Sequence, residues 1–314
     1  MKFFEKAVFQ FLIIATLAAA GFAQTGKIEN IAAQAASVTE FEVNGLKVIV
    51  KRRASAPTFA GGLFFRGGAR NWNEKNAGIE SLALSAATEG SKLYPRQVLR
   101  RELARTGSTI GSGVSKDYSA ISFAATRQDF DRIWQIFTDV TINPAFASQD
   151  VERVRQQTIA ALRENEISPD SALRSLEDRV IYAGHPYAND VTGSIQTISG
   201  ISAADLAAYH KNLLQTSKML LVIVGDIGVD EIKAKVAASF GKLPKGNYKD
   251  QPLPALDFSK GTIDVMPRVL PTNYVIGTYA APSLNNPDYS AMRVATTILQ
   301  QMVFEEVRGK RQLS

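Results

Sequence analysis

The sequence predicts an α+β fold, and three observations carry that prediction. Apolar residues alternate on both sides of Asn44-Gly45, the pattern of a β-hairpin with a tight turn. Short strand-like runs recur at Thr58–Phe65, Tyr118–Ala125 and Leu220–Val224. Between them lie longer stretches with helical periodicity, such as 149–166. Apolar residues make up 45% of the chain and charged residues 21%, which are globular proportions.

The elements follow in order. In the hairpin, Phe41 and Val43 alternate before the turn and Leu46, Val48 and Val50 after it. The strand at 58–65 ends at the breaker pair Gly67-Gly68. Helices are expected at 78–89 and 96–105, the second stopped by Gly107. The stretch Gly111-Ser112-Gly113 reads as a glycine-rich strand, because it lacks the frame of a nucleophile elbow. A helix at 128–140 is broken by Asn143-Pro144, and helices at 149–166 and 171–182 follow. Ser202 and Asp205 form a capping box that opens a helix reaching about Leu213. The strand at 220–224 closes at Gly225, and a helix at 230–240 completes this unit. Pro, Gly and charged residues from Lys242 onward mark a linker. Beyond it, Thr262–Val265 and Tyr274–Ala281 read as strands and 289–307 as a helix, a pattern like that of 58–89. The expected organisation is therefore a signal peptide (1–23), a leader (24–37), a first α/β domain (38–245), a linker (246–261) and the beginning of a second domain (262–314).

At the N-terminus, Lys2 and Lys6 precede the apolar run Phe11–Ala20 and the small residues of Gly21-Phe22-Ala23. This is the pattern of a secretory signal peptide, cleaved before Gln24, with an uncleaved anchor as the alternative. In a bacterium the mature chain would be periplasmic or secreted, with no membrane span left after cleavage.

Several function classes are excluded or disfavoured by composition. The chain contains no cysteine, so disulfides, thiolate metal sites and a cysteine nucleophile are excluded. Its net charge of +6 is dispersed, without aromatic residues interleaved among the basic ones or a nucleic-acid motif. A solvated basic surface is the expected reading, with no nucleic-acid partner. The chain has two histidines, His185 and His210, too few for a three-ligand metal site without carboxylates. His185, beside Pro186, is expected to fix its loop by hydrogen bonding. His210, late in a helix, is expected to carry a proton favoured by the helix dipole.

The stretch Gly78-Ile79-Glu80-Ser81-Leu82-Ala83-Leu84-Ser85, followed by Glu89-Gly90-Ser91, has a frame of its own. It resembles the active helix of the insulinase and pitrilysin-type (inverzincin) metallopeptidases, Gly-Ile-x-His-x-x-Glu-His followed by Gly-Ser or Gly-Thr. Their two imidazoles share one helix face and hold zinc, and the Glu activates a metal-bound water. Ser81 and Ser85 occupy the His positions and Leu84 the Glu position. A hydroxyl is a poor zinc ligand and a leucine accepts no proton. The family's third ligand is a Glu on the later long helix, where Arg155–Leu162 contains no carboxylate; Glu152 and Glu164 flank it and read as surface residues.

Further landmarks fit the same resemblance: Asn143-Pro144-Ala145-Phe146, His185-Pro186-Tyr187, Leu220–Asp226, and the closing Phe304–Ser314. The resemblance runs from about Phe41 to the last residue. It implies an insulinase-type α/β roll, an antiparallel-rich sheet with helices on one face, present as one complete copy and the start of a second. It also implies a zinc-less member similar to the non-catalytic subunit of heterodimeric mitochondrial-processing-peptidase-like enzymes. Such a chain has no catalytic or metal residue and no cofactor of its own, and is inactive alone. It binds peptide, partly by strand addition, beside a catalytic homologue with intact HxxEH that holds the zinc. A scaffold of the same fold without a role in proteolysis is the alternative; an autonomous metallopeptidase would need ligands the sequence does not contain. The family's substrate-gripping Arg matches Arg308, which reads equally as a cation in a helix's last turn.

Overall fold

The computed structural model describes residues 35–313; the expected signal peptide and most of the leader lie outside these. The hairpin forms as read. Strands β1 (Val38–Val43) and β2 (Leu46–Arg52) pair antiparallel around Asn44 and Gly45, both at positive φ. With β3 (Thr58–Arg66), β4 (Thr109–Val114), β5 (Tyr118–Thr126) and β6 (Met219–Gly225) they build one six-stranded sheet in the order β1-β2-β6-β3-β5-β4. The β2–β6 pair is parallel and the other pairs are antiparallel. The sheet is thus antiparallel-rich, as expected.

Alternation along each strand sends one set of side chains inward. Val48, Leu221, Leu63 and Ile121 stand in one row across four strands, each the registered partner of the next. All four are fully buried. They meet α2 (Arg96–Thr106), α3 (Phe130–Ile142) and α8 (Val229–Ala238) through Leu99, Phe137 and Val236. Phe123, Phe130, Trp134, Phe137 and Phe240 form a continuous aromatic cluster there.

A second apolar cluster joins α1 (Ile79–Ala87), α4 (Ser148–Ile167), α6 (Ile195–Gly200) and α7 (Ala203–Leu213). Helix α5 (Pro169–Ile181) follows α4 after a turn capped by Ser168, with Pro169 in its first turn. Helix α6 is absent from the sequence-based expectations; its signal is the Ser194–Thr197 capping box.

Thr262–Val265 and Tyr274–Ala281 form no strand. Their apolar side chains lie in solvent, Ile263 at 94% and Val275 at 89% exposure. A strand requires a hydrogen-bonding neighbour, and the described residues offer these segments none. The segment touches the rest of the chain through Arg268, which donates to Glu166 O at 2.9 Å, and through Thr278 on Glu177. Helix α9 (Tyr289–Val303) forms as expected and continues into a π-helical turn over Phe304–Lys310.

Candidate functional site

Helix α1 carries the site. Gly78 opens it at φ +88, a left-handed conformation that disfavours a side chain, and a Cβ there would lie 2.5 Å from Thr192 O. The helix packs against β4, β5, α4 and α7. Ser81 and Ser85, four residues apart, share its partly exposed face. Leu84, one residue before Ser85, is fully buried and belongs to the main core beside the sheet. The position where the family pattern has its general base is therefore filled by core packing. These residues do not fit a zinc ion: two hydroxyls and a buried alkyl group supply neither ligands nor a base. On α4, Glu152 and Glu164 are exposed. Arg155, from the carboxylate-free stretch, donates to Ile198 O instead. Among the described residues, no group of three His, Cys, Asp or Glu could hold a metal ion.

What α1 does bury is a carboxylate. Glu80 is fully enclosed. Its Oε2 accepts from Tyr209 OH at 2.5 Å and from Asn71 Nδ2 at 3.1 Å. Asn71 Oδ1 accepts in turn from Lys218 Nζ at 2.9 Å. The other oxygen, Oε1, is buried without a hydrogen-bond partner among the described residues, as is the nearby Ser119 hydroxyl. Burial raises the Glu80 pKa, against the opposing pull of Ser119, Tyr209, Asn71 and Lys218. Burial also lowers the Lys218 pKa, which Glu80 partly restores, and raises that of Tyr209 well above the usual phenol range. This network was missed in the sequence. The available signal is a Glu within an otherwise apolar helical run, between Ile79 and Leu82.

At the other end of α1, Glu89 accepts from Arg96 at 3.0 Å, Arg100 at 3.1 Å and Arg153 at 2.5 Å. Burial pushes its pKa up, but the three guanidiniums outweigh that and hold it below the ordinary value.

The two histidines behave differently. His185 Nδ1 accepts from Tyr187 N at 3.1 Å and caps a short turn, the loop-fixing role expected of it. His210 corrects the expectation of a protonated imidazole. It is buried against Phe146, and burial depresses its pKa to about 4, so it is neutral near pH 7. Desolvation outweighs the dipole of the helix end. Arg308 lies exposed in the π-helical turn, its guanidinium 5.7 Å from the Phe304 ring centre. Lys310 and Arg311 take the nearby carboxylate of Glu306.

Comparisons with known proteins agree on one family. A family model described as Insulinase (Peptidase family M16) matches residues 47–194, and one described as Peptidase M16 inactive domain matches 200–314. Bovine cytochrome b-c1 complex subunit 1, mitochondrial, is 25% identical over 270 residues, 84% of this chain and 56% of that protein. The Caenorhabditis elegans mitochondrial-processing peptidase subunit beta is 24% identical over 269 residues, 85% of this chain and 57% of that one. This chain thus spans about half the length of the curated relatives it matches. A crystal structure of a peptidase M16 inactive domain from Pseudomonas fluorescens aligns with a TM-score of 0.64 at 22% identity, covering 69% of this chain and 54% of that one. The periplasmic protease PqqL from Escherichia coli aligns at 0.63 and 16% identity, covering 69% and 25%. These structures share the fold.

Proposed function

We propose that this chain, which belongs to the insulinase family (peptidase family M16), is a non-catalytic subunit that binds extended peptide and assists a separate catalytic relative carrying HxxEH. The observation that carries the reading is the state of α1. Its frame is kept, while Ser81 and Ser85 stand in the ligand positions and Leu84 is committed to the core. The zinc of the pair would belong to the partner. Strand β4 supports peptide binding, because it is an outer strand of the sheet and packs beside α1. Its outward backbone groups are available for strand addition. In this reading residues 38–245 form the first peptidase-like domain and 262–314 begin a second.

Arg308 is assigned to substrate binding. It is exposed and stacked near Phe304, free to turn its fork toward a peptide carbonyl. Export fits the signal-peptide pattern, and the fold neighbour from Escherichia coli is described as periplasmic. Among the described residues no helix is long and apolar enough to cross a membrane.

The test is co-expression with an HxxEH-bearing relative and a peptide-cleavage assay. Cleavage by the pair, absent from either chain alone, is the expected result. Arg308→Ala should then lower the cleavage rate about tenfold or more while a pull-down shows assembly intact. A scaffold role is the second reading, favoured by the relative described as a cytochrome b-c1 complex subunit. Stable assembly with no effect on cleavage would select it.

A further inference from the structure

Residues 244–251 cross the surface directly above the buried Lys218–Asn71–Glu80 chain. Their fixings are several and specific. Thr216 N donates to Pro244 O at 3.0 Å and Ser217 N to Lys245 O at 2.9 Å. Tyr248 N donates to Ser217 Oγ at 3.1 Å. Asp250 pairs with Arg66, and Arg70 Nη1 donates to Gln251 O at 2.9 Å. Gly246 is at φ +67, and a Cβ added there would come within 2.8 Å of Gln215 Cβ, so the segment lies close against the surface beneath.

The Tyr248 ring is the centre of this contact. Lys218 Nζ lies 5.0 Å from its centroid and the Arg66 guanidinium carbon 5.7 Å. Lys218 is 9% exposed, although its ammonium reaches a surface segment. Beneath it, the same ammonium holds Asn71, and Asn71 holds Glu80 on α1. One ammonium therefore contacts the strap on one side and the degenerate helix, through Asn71, on the other.

We propose that residues 244–251 form a latch, seated on Arg66, Arg70, Ser217 and Lys218, whose release uncovers Lys218 and loosens the Asn71–Glu80 link to α1. The latch is where the chain leaves the sheet domain for everything beyond residue 251. Its seating ties the course of that later segment to the order of α1. The proposal stands on these contacts and does not depend on a partner or a substrate.

Acetylation of the full chain by an N-hydroxysuccinimide ester, read at Lys218 by mass spectrometry, tests it beside amide exchange of peptides spanning 71–84. Tyr248→Ala removes the cover and should speed Lys218 labelling roughly tenfold. Asp250→Asn changes an exposed residue that pairs with Arg66 at the rim of the segment and leaves the Tyr248 ring over Lys218 in place. It should speed labelling severalfold and also hasten exchange in 71–84, with exchange in α3 unchanged. Equal Lys218 labelling in the wild type and both variants would overturn the latch. Faster labelling with unchanged exchange in 71–84 would overturn its connection to α1.

Discussion

Glu80 and Glu89 sit at the two ends of α1 and are held in opposite ways. Glu80 is sealed among Tyr209, Asn71 and Ser119, with its one cation a step away through Asn71. Glu89 keeps 11% of its side chain exposed and meets three guanidiniums directly. Burial decides the first and raises its pKa; pairing decides the second and lowers it. The difference teaches that a carboxylate on this helix is tolerated by hydrogen bonds at one end and by charge at the other. Between them, at Leu84, the helix offers neither.

That gap gives the largest expected effect. Leu84→Glu would restore the family's base residue but place a carboxylate in the main core without a partner. It should cost about 4 kcal/mol of stability in denaturant unfolding. A loss under about 1 kcal/mol would mean that the core opens at this position more easily than its packing implies.

His210 extends the comparison to a buried base without a charged partner. Its folded pKa of about 4 lies below the ordinary 6.5, so the unfolded chain binds the proton first as pH falls. Its contribution is whole above pH 6.5 and is lost on the way down to about 4, up to about 3 kcal/mol. Thermal unfolding of wild type and His210→Phe across that range should show the variant losing less on acidification.

Replacing the two glutamates separates their modes directly. Glu89→Gln should cost roughly 2 kcal/mol near neutrality, because three guanidiniums lose their charge partner. With a lowered folded pKa, Glu89 contributes fully above about 4.5 and loses that contribution as pH drops through the folded value. Glu80→Gln should stay within about 1 kcal/mol, since an amide oxygen still accepts from Tyr209 and Asn71 and its NH₂ can reach Ser119. The sign of its pH dependence is reversed. A raised folded pKa means that wild type gains on the Gln variant as pH falls from neutrality toward 4.5. Matching pH profiles for the two variants would break the comparison.

The smallest effect is expected at the helix's outer face. Ser81→His with Ser85→His alters two partly exposed positions and should change stability by under about 0.5 kcal/mol each. Equilibrium dialysis should find no tightly bound zinc in this double variant, since α4 offers no carboxylate between Arg155 and Leu162.

By itself the sequence determined the elements whose signals are local. Asn44-Gly45 marks the hairpin, Gly107 and Asn143-Pro144 mark helix ends, and Ser202 with Asp205 marks a helix start; each acts through its own backbone or its near neighbours. The departure from the HxxEH pattern was legible through the resemblance of Gly78–Ser91 to the family's active helix, which sets Ser81 and Ser85 at the His positions and Leu84 at the Glu position. Tertiary structure decided what depends on partners distant in the chain. Tyr209 and Lys218 reach Glu80 and Asn71 across more than a hundred residues, a meeting no local pattern records. Burial against Phe146 turned His210 from a helix-end cation into a neutral core residue. Thr262–Val265 and Tyr274–Ala281 have strand patterning and no strand, because alternation sets which faces a strand would present while only a neighbouring strand supplies its hydrogen bonds.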